Sequence, residues 1–203
     1  MNIFDDIKLY LPKYLSEEST TALFDKLGKF PNNIDNSLYA KPLLGEDNIL
    51  QGDGMKDFLV VNLPEEKVGK APVITLSNTC DIDLNNKRAY FPSQIVYATI
   101  FNLDKYRNQL IADKIKDEES IKQHLDSIRK QLITQVLYLP IGGSLNYEGI
   151  VFLDRINHCD NKAIDRTDIK SSRLFSLSNY GFYLFLIKLS IQFTRVQEQV
   201  DRK

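Results

Sequence analysis

Apolar residues recur along this chain at two periods, and the change of period divides it. Between Asp104 and about Gln135, Leu110, Ile111, Ile115, Ile121, Leu125, Ile128 and Leu132 step by threes and fours among charges of both signs. That spacing predicts one or two amphipathic helices, with Asp117, Glu118 and Glu119 marking a break and Ser120 starting the second. Before this stretch, Asp57 to Leu63, Ala71 to Leu76, Arg88 to Phe91 and Ile95 to Phe101 read as short strands. After it, Val136 to Pro140 and Gly149 to Ile156 restore the strand texture, separated by a Gly142-Gly143 hairpin turn. Strands this short, joined by turns of a few residues, predict a small barrel rather than a parallel sheet.

The two ends read differently. Residues 1–50 form an N-terminal cap in which Ser16 precedes Glu17 and Glu18, a helix start continued by Leu23, Leu27 and Phe30 and stopped by Pro31. Residues 35–50 have no firm period and are expected to be loop or short strand. A polar loop is expected over 157–173. The carboxy-terminal part, 174–200, is predicted to be helical from about Ser178 to Glu198, with Tyr183, Leu184, Leu186, Ile187, Ile191 and Phe193 docking on the barrel. The expected class is α+β in one domain, with 51–103 and 136–156 as barrel and 104–135 as a helical insertion.

Composition narrows the function classes. The 203 residues are 43% hydrophobic and 26% charged, the balance of an ordinary globular protein. Lys and Arg number 26 against 27 Asp and Glu, so no global basic field points to nucleic acid. The start, MNIFDDIKLYL, is acidic and lacks the layout of a secretory signal. Gly181 to Leu189 is too short to span a bilayer and is broken by Lys188. Two distant cysteines fit a reduced compartment better than a disulfide scaffold. A cytoplasmic, membrane-free protein is expected.

One stretch resembles a known family. GDGMKDFLVVNLPEEKVGKAPVITLSNTCD (52–81) is similar to the opening of MazF/PemK-like toxins, and IVYATI (95–100) to that family's next core strand. The resemblance covers 51–101 and extends loosely to 136–156. It implies an SH3-like barrel, a homodimer, single-stranded RNA as substrate, metal-independent cleavage and neutralisation by an antitoxin protein. Ala71, preceded by Lys70, stands where the family has its catalytic arginine, and a methyl group cannot hold a phosphate as guanidinium does. Thr99 matches the family's catalytic threonine or serine. The catalytic set expected from the resemblance is therefore Lys70, Arg88 and Thr99, with no metal or cofactor.

Other residues carry candidate chemistry. Ser77, Asn78 and Thr79 end a strand, where short polar side chains hydrogen-bond phosphate oxygens or simply shape the turn. Cys80 beside Asp81 is a candidate nucleophile or, with His158 and Cys159, a mixed metal site; packing for Cys80 and a cap for Asp81 are the preferred readings. His124 is expected on an exposed helix face. Phe175, Tyr180, Phe182, Tyr183 and Phe185 are expected to pack in the core rather than stack bases. Two functions remain open: an RNA-acting relative of these toxins, and a non-catalytic barrel that binds a protein partner in a toxin–antitoxin or host-defence module. A Cys- or metal-dependent enzyme is a third, weaker class.

Overall fold

The computed structural model describes residues 16–194. The MNIFDDIKLYL stretch and the predicted helical residues beyond 194 lie outside these. Helix α1 (Glu17–Gly28) starts where Ser16 accepts a hydrogen bond from the Ser19 amide at 3.2 Å, the N-cap that the sequence predicts. A short α2 (Ile34–Ser37) and a 3-10 turn (Pro42–Gly45) follow, in place of the expected strand or loop. Then come β1 (Gly54–Asn62), β2 (Lys67–Thr75), the single turn α3 (Thr79–Ile82) and β3 (Gln94–Asn102). Helices α4 (Leu103–Ala112) and α5 (Glu118–Arg129) form the insertion, α5 opening where Asp117 accepts from the Ser120 amide at 2.9 Å. The chain closes with β4 (Val136–Leu139), β5 (Gly149–Asp160), the short α6 (Ile169–Ser172), β6 (Arg173–Phe175) and α7 (Asn179–Thr194).

The protein is thus α+β, with one six-stranded sheet in the order β4-β5-β3-β2-β1-β6. Every pairing is antiparallel, so no parallel crossovers are needed and the connections can be short. The ladder order begins at β4 and ends at β6, and among the described residues no ladder joins the two edges to close it. Curling nevertheless brings the far end of β1 to β5. The Val61 amide donates to Asn157 Oδ1 at 2.9 Å, and the Tyr97 hydroxyl of β3 donates to the Leu59 carbonyl.

Two apolar clusters hold this shape. One face of the sheet, with Ile74, Ala98, Ile100 and Ile150, packs against Leu125 and Ile128 of α5 and Leu184 and Phe185 of α7. The alternate residues Val73, Ile95 and Tyr97 fill the inside of the curl with Met55, Phe58 and Ile169. That alternation is the period of two expected of strands covered on both faces. Tyr180 and Tyr183 pack on Leu23 of α1, and Phe175 and Phe185 are fully buried, so the aromatic string is packing, as its composition predicts.

Three expectations need correction. Residues 88–91 are irregular and bend, not strand, because no strand among the described residues offers them a ladder; Tyr90 and Phe91 are exposed. The loop expected over 157–173 instead continues β5 to Asp160, since Gln94 to Tyr97 of β3 pair with it there. It then supplies α6 and the start of β6. His124 is half-buried rather than exposed, with Nε2 at 3.1 Å from the Tyr106 hydroxyl. The Gly142-Gly143 turn is as expected: Gly142 and Leu145 exchange both backbone hydrogen bonds, and Gly143 takes φ of 59°, a left-handed position that suits glycine.

Three buried charged side chains tie distant segments together. Arg173 and Asp53, each 1% exposed, pair at 3.0 Å. The remaining Arg173 donors reach the carbonyls of Leu43, Leu44, Glu46 and Asn48, tying the 42–48 segment to β6. Asp53 also accepts from Ser176 at 2.6 Å and from the Leu50 amide at 2.9 Å. Burial pushes its carboxyl up, against the pull of Ser176, the Leu50 amide and Arg173. Lys188 of α7 is 5% exposed and donates to the Gln131 and Ile133 carbonyls at 3.0 and 2.9 Å.

Candidate nucleic-acid groove

A wide concavity follows from the curl. Where β1 and β2 bend toward β5, their ends leave a groove of about 800 Å³ on the seam. Lys70, Ala71, Thr99 and Phe101 line it from β2 and β3, and Asp154, Arg155 and Asn157 from β5. Two of the three residues expected as catalytic, Lys70 and Thr99, therefore share one concave surface. The third, Arg88, does not. Its guanidinium pairs with Asp81 and lies over the Phe91 ring, 5.2 Å from the centroid, in the 83–93 loop. A carboxylate seven residues away captured it, an event the strand reading of 88–91 could not foresee.

Arg155 takes a place in the groove that the sequence reading did not assign. Between the pairs Ala98–Ile156 and Ile100–Val151, residues 152–155 of β5 lie opposite Thr99 alone. Such a bulge bends the strand and re-aims its side chains. Here it sets Asp154 and Arg155 beside Thr99 on the groove wall. The Arg155 guanidinium lies 4.1 Å from the Phe152 centroid and 5.7 Å from that of Phe101. Those rings meet edge to face at 5.6 Å, and Tyr106 braces Phe152 at 5.7 Å. A cation over an aromatic face gains about 0.5–1 kcal/mol when exposed, enough to bias one rotamer.

The charges of the groove are unevenly matched. Lys67 pairs with Glu65 at 2.6 Å. Lys70 and Arg155 form no ion pair among the described residues. Asp154 shares the groove with them, and the charge of Lys70 adds to the Thr167 hydrogen bonds that hold the Asp165 carboxyl below its usual range. Thr99 is nearly buried, and its hydroxyl has no protein hydrogen-bond partner among the described residues. The groove holds no histidine or cysteine. Its chemistry is that of an anion-holding surface: two free cations, a spare hydroxyl and apolar patches at Val68 and Phe101.

The stretch at 77–81 has local structural work. Ser77 Oγ accepts from the Val96 amide at 2.8 Å, and Asn78 caps α3 by accepting from the Cys80 amide at 2.9 Å. Thr79 Oγ1 accepts from the Gln51 amide at 3.0 Å, while the Asp81 side chain holds Arg88. Cys80 itself is exposed and not in the core, so the packing role expected of it is corrected. Cys159 is half-buried inside the curl, where burial pushes its thiol up and the Tyr97 hydroxyl pulls it down. His158 faces Gln94 Oε1 at 3.4 Å. Among the described residues no three His, Cys, Asp or Glu side chains converge as a metal site would require. Nor is any helix there long and apolar enough to cross a membrane. No protein-family model matches this chain, and a search of curated proteins finds no match.

Proposed function

We propose that this protein binds single-stranded RNA in the groove on its β1–β5 seam, as a MazF/PemK-related, partly open SH3-like barrel. What carries the reading is that Lys70 and Thr99, singled out by position in the sequence, line one concave surface together with a further cation, Arg155. The curl that brings Val61 to Asn157 supports the barrel part of it. Phosphate contacts supply most of the affinity of sequence-independent RNA binding, and unpaired Lys and Arg side chains in a groove are suited to making them. Cleavage, if the groove performs it, is attack of a ribose 2′-oxygen on the adjacent phosphorus. The bond to the 5′-oxygen breaks, the 2′-hydroxyl proton is lost to water, and the departing 5′-oxygen takes one from water, leaving a 2′,3′-cyclic phosphate and a free 5′-hydroxyl. Lys70 would then offset the charge that builds on the phosphate oxygens, and Thr99 would donate to one of them.

A second reading has its own observation. Leu59, Val61, Leu63 and Val68 on the β1–β2 hairpin are large, apolar and exposed, which favours a protein partner on the same end of the molecule. The test is purified protein titrated into labelled single-stranded RNA, with binding read by anisotropy and cleavage by gel, with and without chelator. RNA binding that K70A weakens supports the proposal, and cleavage that persists in chelator adds the catalytic step. No RNA binding in low salt refutes it and leaves the protein partner as the reading to pursue.

A further inference from the structure

We infer that Arg155 is the residue that grips the RNA phosphate in this groove, an inference that rests on the RNA-binding reading above. Three independent features single it out. The first is placement: the β5 bulge over 152–155 sets Arg155 against Thr99 in the groove lining. The second is orientation. Phe152 and Phe101 back the guanidinium at 4.1 and 5.7 Å, and Tyr106 holds Phe152 from behind. A stacked guanidinium has lost much of its rotamer freedom before the ligand arrives, so less is lost on binding.

The third feature is availability. Arg173 uses its donors on Asp53 and backbone carbonyls, Arg129 binds Glu148 through two nitrogens, Arg88 holds Asp81, and Arg166 is spent on Asn161 and Ile164. Arg107 of α4 is exposed and also has no such partner among the described residues, but it lies outside the groove. Arg155 has no hydrogen-bonded partner among the described residues and is exposed. A planar fork with its back on two rings and its donors unused is built for a planar or tetrahedral oxyanion held by two nitrogens. Charge favours a phosphodiester here, because Lys70 across the groove adds a second cation for the neighbouring linkage. The adjacent Asp154 disfavours dense anionic ligands and suits a chain with one charge per unit.

The experiment compares wild type, R155A, R155K and K70A for binding of a short single-stranded RNA of mixed sequence over a range of salt. All four should melt alike, since both side chains are exposed. R155A is expected to weaken binding about tenfold or more and to lower the salt slope by about 0.7, the loss of one phosphate contact on a single strand. R155K should keep the slope yet recover only part of the affinity, because an ammonium neither stacks nor forks. K70A should lower the slope similarly with a smaller loss of affinity. If wild type binds and R155A binds with the same affinity and slope, the assignment of Arg155 is overturned while the RNA reading stands. If R155K restores full affinity, the oriented fork is overturned in favour of a simple point charge. Failure of wild type to bind RNA at all removes the reading and this inference with it.

Discussion

Raising the pH from 7 to about 9.5 should stabilise this protein against urea relative to a K188M variant, and Lys188 is the reason. The upward shift of the Cys159 thiol on burial acts in the opposite sense and cancels in that difference. Burial on α7 lowers the Lys188 pKa from 10.5 to about 8. Below pH 8 the amine is charged in both folded and unfolded chains, and the folded chain bears the desolvation cost. Between pH 8 and the unfolded value the folded amine is neutral while the unfolded one still binds a proton. The unfolded state therefore holds more protons, and stability rises with pH by up to about 1.4 kcal/mol per unit. Integrated from pH 7 to about 9.5, the gain is about 2 kcal/mol. Losing the proton does not orphan the Gln131 and Ile133 carbonyls, because a neutral amine keeps two donors for its two acceptors. The reference is K188M, which keeps the length of the side chain and cannot titrate. Urea melts of both proteins at several pH values give the difference, in which all other titrating groups cancel. The range stops near 9.5 because burial raises Tyr97 and Tyr180, which oppose the trend once ordinary tyrosines ionise. A wild-type minus K188M difference that is flat over this range, or that falls, refutes a charged, desolvated Lys188.

The remaining predictions concern stability and the thiols. R173L should cost about 3–5 kcal/mol and lower the melting temperature by about 10 °C, because it leaves Asp53 charged and buried and strips donors from four carbonyls. E148Q should cost about 2 kcal/mol at neutral pH, since Glu148 accepts two bonds from Arg129 and one from Tyr138. Those hydrogen bonds hold its carboxyl below the usual range, so the difference from wild type should shrink as pH falls through that lowered value. In denaturant-free buffer a thiol reagent should modify exposed Cys80 well before half-buried Cys159, and C80S should leave stability within about 0.5 kcal/mol of wild type.

Which parts of the fold were legible follows from how far each signal reaches along the chain. Ser16 and Asp117 cap helices three residues away, and the apolar steps of α5 repeat within one turn, so local sequence suffices for them. The cores of β1, β2, β3, β4 and β5 show as β-branched runs for the same reason. RAYF at 88–91 has the same look, yet a strand exists only where another strand pairs with it, and none among the described residues does. NHCD at 157–160 looks like loop and is strand because β3 runs beside it. β6 is three residues long and carries a buried arginine, a residue type that reads as surface. Its partner Asp53 is 120 positions away, so no window along the chain contains both.

The groove shows the same division. Lys70 and Thr99 were placed by resemblance to a pattern of strands, and the register Val73–Thr99 keeps both ends of that pattern on neighbouring strands. Arg88 failed because proximity in sequence to a strand says nothing about which carboxylate a long side chain will find first. Arg155 was missed for the opposite reason. FLDRI reads as a plain continuation of β5, and alternation alone does not reveal that residues 152–155 stand opposite one residue of β3. A bulge is a mismatch between two strands, so it has no signature in either strand taken alone. Formal net charge misleads in a related way: a chain at −1 can still present Lys70 and Arg155 outside any ion pair on one concave wall, while Lys67 in the same groove is met by Glu65 and Arg88, outside it, by Asp81. Affinity for an anionic chain depends on those cations that pairing leaves free, and that is decided by tertiary contacts rather than by composition.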